Sequence, residues 1–196
     1  MEGAELGGGK KNAKICHAWV VFLDESGISQ RPSVRRTWAP RGRTPVLTHP
    51  FNWKKLSICS VIAYRWDGRR CRLFFRIVSD SYNDVKLTDF LSQLRRELRG
   101  RKTILLWDGL PSHRSRLMTD YLHQQRWLSV VRLPAYAPEI NPVESVWANI
   151  TGQELANRCS EDLGGMVEGV RSGFFRIREN SSLPFSFLRH AGLSFD

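Results

Sequence analysis

The stretch "HAWVVFLDESG", residues 17 to 27, constrains the fold more than any other part of the chain. It is an unbroken apolar run of strand length, closed by two acids and a glycine, and a strand with no polar alternation is one buried on both faces. Such a strand belongs in the middle of a sheet that helices cover on either side. Its end is expected at Asp24, where the acids begin.

The neighbouring segments supply that sheet and its covers. "KLSICSVIAYRWDGRRCRLFFRIVSD" carries two β-branched and aromatic runs around Asp67-Gly68, a pair that favours the positive φ angles of a tight antiparallel hairpin. "NDVKLTDFLSQLRREL" sets Leu87, Phe90, Leu91, Leu94 and Leu98 at three- and four-residue steps, the stripe of an amphipathic helix. "TILLWD" reads as a short buried strand. "SHRSRLMTDYLHQQRW" reads as a helix with Leu117, Met118, Tyr121 and Leu122 on one face and Ser112 as its N-cap. "LSVVRLP" is the next strand and "NPVESVWANITGQELAN" the next helix. Three early strands followed by alternating helices and strands imply a mixed sheet with helical covers, an α/β architecture without internal repeats.

The two ends of the chain carry weaker signals. Leu163, Met166, Val167, Val170 and Phe174 are helically spaced, although Gly164, Gly165, Gly169 and Gly173 argue against a stable helix, and "NSSLPFSF" reads as a closing loop. Residues 1–14, rich in glycine and lysine, read as a flexible basic tail, leaving 15–196 as one domain with a helical C-terminal extension.

Thirty lysines and arginines against 19 acids give a formal charge of +11, which attracts polyanions and favours nucleic acid as the partner class. No apolar run reaches membrane-spanning length and no secretory leader is evident, so a cytoplasmic protein without a membrane partner is expected, nucleoid-associated if bacterial. Cys16, Cys59, Cys71 and Cys159 are too scattered for a zinc knuckle or a disulfide framework and read as buried free thiols.

Three acids stand at element ends: Asp24 after the first strand, Asp108 after "TILLWD", and Glu144 at the opening of a helix within "LPAYAPEINPVESVW". Carboxyl ends of strands border the ligand crevice of open α/β sheets, so acids from separate strands can converge there on hard cations such as magnesium or manganese. Each acid also has an ordinary role. Asp24 and Asp108 suit strand ends and turns, and Glu144 falls at the third position of a helix capped by Asn141, where it would close a capping box.

In order and context, "VVFLDESG", "ILLWDGLPSHRS" and "LPAYAPEINPVESVW" resemble the three signature blocks of mariner-type insertion-sequence transposases, members of the DDE superfamily. The interval between Asp108 and Glu144, residues 109 to 143, suits that family's short second spacing. "TWAPRGRTPVL" resembles its segment after the first acid, so the likeness runs from about residue 17 to 157. It implies an RNase H-like mixed sheet of about five strands. It further implies that Asp24, Asp108 and Glu144 are the catalytic, metal-binding triad for two Mg2+ or Mn2+ ions, cutting and joining strands of double-stranded DNA at transposon ends and target.

The second block departs from the family pattern, reading Asp108-Gly109-Leu110 where Asp-Asn-Ala is common. Relatives also carry helix-turn-helix modules that read the transposon ends, and the catalytic strand here begins almost at once. Either a separate helix-turn-helix polypeptide supplies that recognition or the chain is a catalytic fragment.

Other residues join the candidate site. Arg31, Arg35, Arg36, Arg41 and Arg43 surround Trp38, a mixture suited to phosphate contact and stacking, or else a solvated loop with Trp38 tucked into the core. In mariner-like relatives this region can also pair subunits, which implies a homodimer on DNA. His113 matches a histidine seen after the second acid and is placed either on a phosphate or a carboxylate, or on ordinary surface. Glu25 should point away from Asp24 across the strand and is not expected to be a ligand. The cations of "RRELRGRK" read as offsetting a helix dipole. Two further functions fit: an RNase H-like nuclease acting on hybrid or branched DNA, and a non-catalytic DNA-binding descendant of a transposase.

Overall fold

The structure is a computed structural model that describes residues 13–48, 54–134 and 137–195. Most of the expected tail lies outside these, but it does not extend to residue 14: residues 13–16 are helical and Ala13 is buried.

Five strands form one sheet: β1 (Trp19–Ser29), β2 (Lys55–Tyr64), β3 (Cys71–Val78), β4 (Thr103–Trp107) and β5 (Leu128–Arg132), in the order β3-β2-β1-β4-β5. The apolar run is central, as its composition requires. It pairs antiparallel with β2 and parallel with β4. The hairpin between β2 and β3 turns at Gly68, whose φ of 66° suits a glycine.

Period-two alternation sorts β1 between two cores. Val20 and Phe22 join one apolar cluster with Val146, Val170 and Phe187, while Val21 and Leu23 join another with Leu87, Leu91 and Met118. Both faces are buried, which is why the run has no polar alternation. Helices α1 (Asp84–Glu97) and α2 (Arg116–His123) cover the second face. Helices α3 (Pro142–Gln153), α4 (Leu163–Glu179) and α5 (Leu183–His190) cover the first.

Several expectations are corrected. β1 does not stop at the acids: it runs on to Ser29 against β2, and only its pairing with β4 ends, at Phe22 opposite Leu106. The segment opened by Pro111 begins as a short 3-10 turn (Pro111–Arg114), so the N-cap of α2 is Ser115, whose hydroxyl accepts from Met118 N at 3.1 Å, and not Ser112. Of the four apolar residues assigned to its inner face, Leu117 is exposed.

Helix α4 forms despite its glycines, and two of the four, Gly169 and Gly173, stand where neighbouring residues leave no room for a Cβ. A Cβ at Gly173 would stand 2.8 Å from Ile150 Cγ1. The supposed closing loop is helix α5, where Pro184 falls at an opening position that needs no N–H and Phe187 and Leu188 are buried. Tyr64 Oη donates to Pro184 O at 2.7 Å and ties this helix to the sheet. All four cysteines are free, but only Cys59 is fully buried and Cys16 is exposed. No helix among the described residues is long and apolar enough to cross a membrane.

Candidate active site

The parallel register of β1 and β4 positions the first two acids. Trp19 faces Thr103 and Phe22 faces Leu106, so the same offset carried two residues further sets Asp24 level with Asp108. The pairing of β1 with β4 has already ended there, at Phe22 and Leu106. Asp24 projects from the face covered by α3, where Trp147 Nε1 donates to its Oδ2 at 2.9 Å.

Burial raises the Asp24 carboxyl to about 7, and the charges of Glu144, Glu25 and Asp108 push the same way against the Trp147 hydrogen bond. All three acids therefore share one electrostatic neighbourhood. Glu144 is exposed on the first turn of α3, and its carboxyl is also raised, by burial and then by Asp108. It does not close a capping box: the backbone N–H of Asn141 donates to Pro138 O, and the Asn141 side chain caps Val143 N at 3.2 Å. The Glu144 carboxylate is thus not spent on the cap.

Asp108 behaves in the opposite way. Burial works against its charge, yet hydrogen bonds from His113 and from Leu110 N, the latter at 3.1 Å, outweigh it and hold the carboxyl below its usual range. His113 is buried at 3% exposure and stacks on Trp107 with ring centroids 4.0 Å apart. Its Nδ1 lies 2.9 Å from Asp108 Oδ1 and its Nε2 lies 3.0 Å from Glu25 Oε1. Burial disfavours the imidazolium, but the two carboxylates prevail and raise it to about 9. His113 therefore carries a proton at neutral pH, donating from Nδ1 to the main-chain oxygen of Asp108 at 3.1 Å, beside that residue's carboxylate, and from Nε2 to Glu25.

Glu25 points across the strand from Asp24 as alternation requires. Its role as the anchor of His113 escaped the sequence reading, and its Oε2 is buried without a hydrogen-bond partner among the described residues. The Trp147 hydrogen bond to Asp24 has no counterpart in the sequence reading either. An indole one helical turn after Glu144 was the available signal.

Among the described residues no three acid, imidazole or thiol side chains stand close enough to hold a single ion between them. The donor set nonetheless fits a hard divalent cation. The three acids offer carboxylate oxygens alone, Trp147 occupies only one oxygen of Asp24, and mutual repulsion makes full ionisation costly without a compensating charge.

The arginine segment after β1 is exposed throughout 34–48, and Trp38 is fully exposed, not tucked into the core. Its root is fastened: Arg35 N donates to Asn157 Oδ1 at 2.8 Å, and Asn157 Nδ2 donates back to Arg35 O at 3.0 Å. Arg35, Arg36, Arg41 and Arg43 are thereby carried on an extended arm beyond the acids' strand.

A sheet of this order, with one antiparallel hairpin and helices on both faces, is RNase H-like. Sequence comparison narrows the class. The chain belongs to the DDE superfamily of endonucleases, whose family profile matches residues 19–165.

A curated relative, the insertion element IS630 uncharacterized 39 kDa protein of Shigella sonnei, is 23% identical over 153 residues, which cover 78% of this chain and 43% of that protein. The Mos1 strand transfer complex superposes with a TM-score of 0.64 at 21% identity, covering 97% of this chain and 59% of the Mos1 chain. The mariner Mos1 paired end complex with Mn gives 0.67 at 18% identity, over 96% and 59%. The isolated catalytic domain of Mos1 mariner transposase gives 0.58 at 18% identity, over 98% and 93%. The fold is therefore that of the Mos1 catalytic domain, and this chain spans less than half of the curated relative.

Proposed function

We propose that this chain is the catalytic domain of an insertion-sequence transposase, cutting DNA strands and joining them to a target in a metal-dependent reaction. The observation that supports the proposal is that the parallel pairing of β1 and β4 ends two residues before Asp24 and Asp108, with the charges of Glu144 and Asp108 both bearing on Asp24. Asp24 and Asp108 would hold two magnesium or manganese ions jointly, with Glu144 completing the second site. The Mos1 relatives include paired end complexes with Mg and with Mn, in support of those ions. When bound, such ions supply positive charge that lowers the cost of an attacking and a leaving oxygen at phosphorus.

The chain's own residues position and hold. Trp147 fixes Asp24, protonated His113 fixes Asp108, and the turn around Pro138 and Pro142 fixes the start of the helix bearing Glu144. Water attacks a phosphodiester at the transposon end, leaving a 3′-hydroxyl and a 5′-phosphate, and that 3′-hydroxyl then attacks a target phosphodiester, whose own 3′-oxygen departs and takes up a proton. No covalent link to protein is needed, since positioning and charge neutralisation carry phosphoryl transfer.

Arg35, Arg36, Trp38, Arg41 and Arg43 would grip double-stranded DNA along the exposed arm, with a homodimer formed on it. One Mos1 relative is a transposase paired-end complex with the left transposon end. Recognition of specific ends would come from a helix-turn-helix segment outside these residues.

The test is nicking of supercoiled plasmid with magnesium or manganese, run beside an RNA–DNA hybrid and a four-way junction. The parent should nick plasmid, and Asp24→Asn, Asp108→Asn and Glu144→Gln should each abolish nicking while still binding DNA. A variant that cuts as well as the parent removes that residue from the site. Exclusive cutting of hybrid or junction replaces transposition with repair-type or hybrid nuclease activity.

A further inference from the structure

We infer that the arginine-lined clefts at the end of the sheet remote from Asp24, Asp108 and Glu144 form a second nucleic-acid surface, one that holds the sugar–phosphate backbone of duplex DNA away from the bond being cut. Binding there is independent of whether the acids cut.

The topology gathers the arginines. β1 and β4 begin side by side, Trp19 opposite Thr103, and the β2–β3 hairpin closes at the same end, with Tyr64 opposite both Val20 and Cys71. Helix α1 also ends here and enters β4 through Arg99 and Gly100, at φ 54° and 63°. Three segments thus deliver Arg69, Arg70 and Arg72 from the hairpin, Arg99 and Arg101 from the α1–β4 turn, and Arg178 from α4. They line a cleft of about 630 Å³ in which Glu97 is the single acid. An adjoining cleft of about 390 Å³ is lined by Arg95 and Arg96 and shares Arg99. From Trp19 to Asp24 is five residues of strand, about 16 Å, so a duplex with its backbone in these clefts presents a different segment from the one at the acids.

Ordinary roles account for only part of this charge. Arg95 and Arg96 sit in the last turn of α1, where cations offset the helix dipole. Arg72 pairs with Glu97 Oε2 at 3.2 Å, and Arg178 Nε donates to Leu73 O at 2.8 Å. Burial and then the nearby Arg72 charge lower the affinity of the Arg178 guanidinium for its proton. Arg69, Arg70, Arg99 and Arg101 make no ion pair with a carboxylate among the described residues. All four are exposed.

Arg99 holds a left-handed backbone that costs a non-glycine residue about 1 kcal/mol, and from there it borders both clefts. Planar guanidinium forks spread along two joined, open clefts match a line of phosphates better than one small anion.

The test uses the whole chain and a fluorescent duplex of arbitrary sequence, with affinity measured against salt concentration in EDTA. Each phosphate contact contributes about 0.9 to the slope of log affinity against log salt. R69Q/R70Q and R99Q/R101Q should each lower the slope by about 1 to 2 and weaken binding severalfold, while R69K/R70K keeps the parent slope. R171Q/R189Q, which removes two exposed charges elsewhere, should leave the slope within about 0.5 of the parent. Equal effects from cleft and control pairs, or none from either cleft pair, overturn the inference. Plasmid nicking is scored separately: cleft variants that nick with an unchanged slope defeat this site alone. A parent with the expected slope that never nicks defeats only the function proposed above.

Discussion

Trp147 Nε1 donates to Asp24 Oδ2 at 2.9 Å, joining the helix that begins beside Glu144 to the middle of the central strand. The indole is buried and meets Phe174 edge to face at 5.9 Å, so it cannot turn away from the carboxylate without repacking the core under α4. One side chain thereby fixes the distance between two elements that each carry an acid.

Trp147→Phe keeps much of that packing and removes the N–H. A hydrogen bond to a charged group contributes about 1.5 to 3 kcal/mol, and its loss should raise the Asp24 carboxyl further above 7. The expected result is nicking activity about tenfold lower at neutral pH, with the acid limb of the pH profile moved to higher pH. A profile of unchanged shape, merely scaled down, would make Trp147 a packing residue alone.

The geometry around this pair shows what sequence could and could not reveal. The two-sided burial of β1, the hairpin at Gly68 and the cap at Asn141 are local consequences of residue type and were legible. The end of β1 was not, because Glu25 reads as a strand terminator only while its partner His113, 88 residues away, is unseen. Helix α4 was obscured for the same reason, since Gly173 is explained by Ile150 and not by its own neighbours in sequence. Pro184 misled because a proline that breaks a helix interior is harmless at a helix start.

Asp24 should make the metal-free protein less stable as pH rises. Its folded pKa of about 7 lies above the unfolded value of 3.8, so the folded state binds the proton more tightly. The penalty is absent below the unfolded value, grows between the two, and is complete above the folded one, with a ceiling of about 4 kcal/mol. Without metal at about pH 8, Asp24→Asn should melt above the parent. Magnesium should raise the parent's melting temperature more at pH 8 than at about pH 5.5 and should leave Asp24→Asn unmoved. A shift of equal size at both pH values would count against a cation at Asp24.

His113 contributes stability of the opposite sign. Its folded pKa of about 9 exceeds the unfolded 6.5, so the contribution is full below 6.5 and is lost as pH rises through about 9. His113→Asn leaves Glu25 buried with neither oxygen well paired, a situation that costs about 3 to 5 kcal/mol. Urea unfolding should show the gap between parent and variant narrowing from about pH 6 to about pH 10. Glu25→Gln in the His113→Asn background should recover part of the loss, because the uncompensated charge is then gone. Strictly additive losses would show that the two side chains do not act as a pair.

Two helix glycines should respond to alanine with opposite signs. At Gly152 in α3 a Cβ meets nothing within 4 Å, so Gly152→Ala gains helix propensity and should stabilise by about 0.5 to 1 kcal/mol. At Gly173 in α4 the Cβ would stand 2.8 Å from both Ile150 Cγ1 and Glu154 Oε2. Neither neighbour yields easily, since Ile150 is fully buried and Glu154 is held by Arg176 Nε at 2.6 Å. Overpacking of this kind costs about 1 to 3 kcal/mol, which exceeds the propensity gain. Gly173→Ala should therefore lower the urea midpoint with an unchanged slope. If it matches Gly152→Ala instead, α4 packs more loosely against α3 than these distances describe, and its glycines need another explanation.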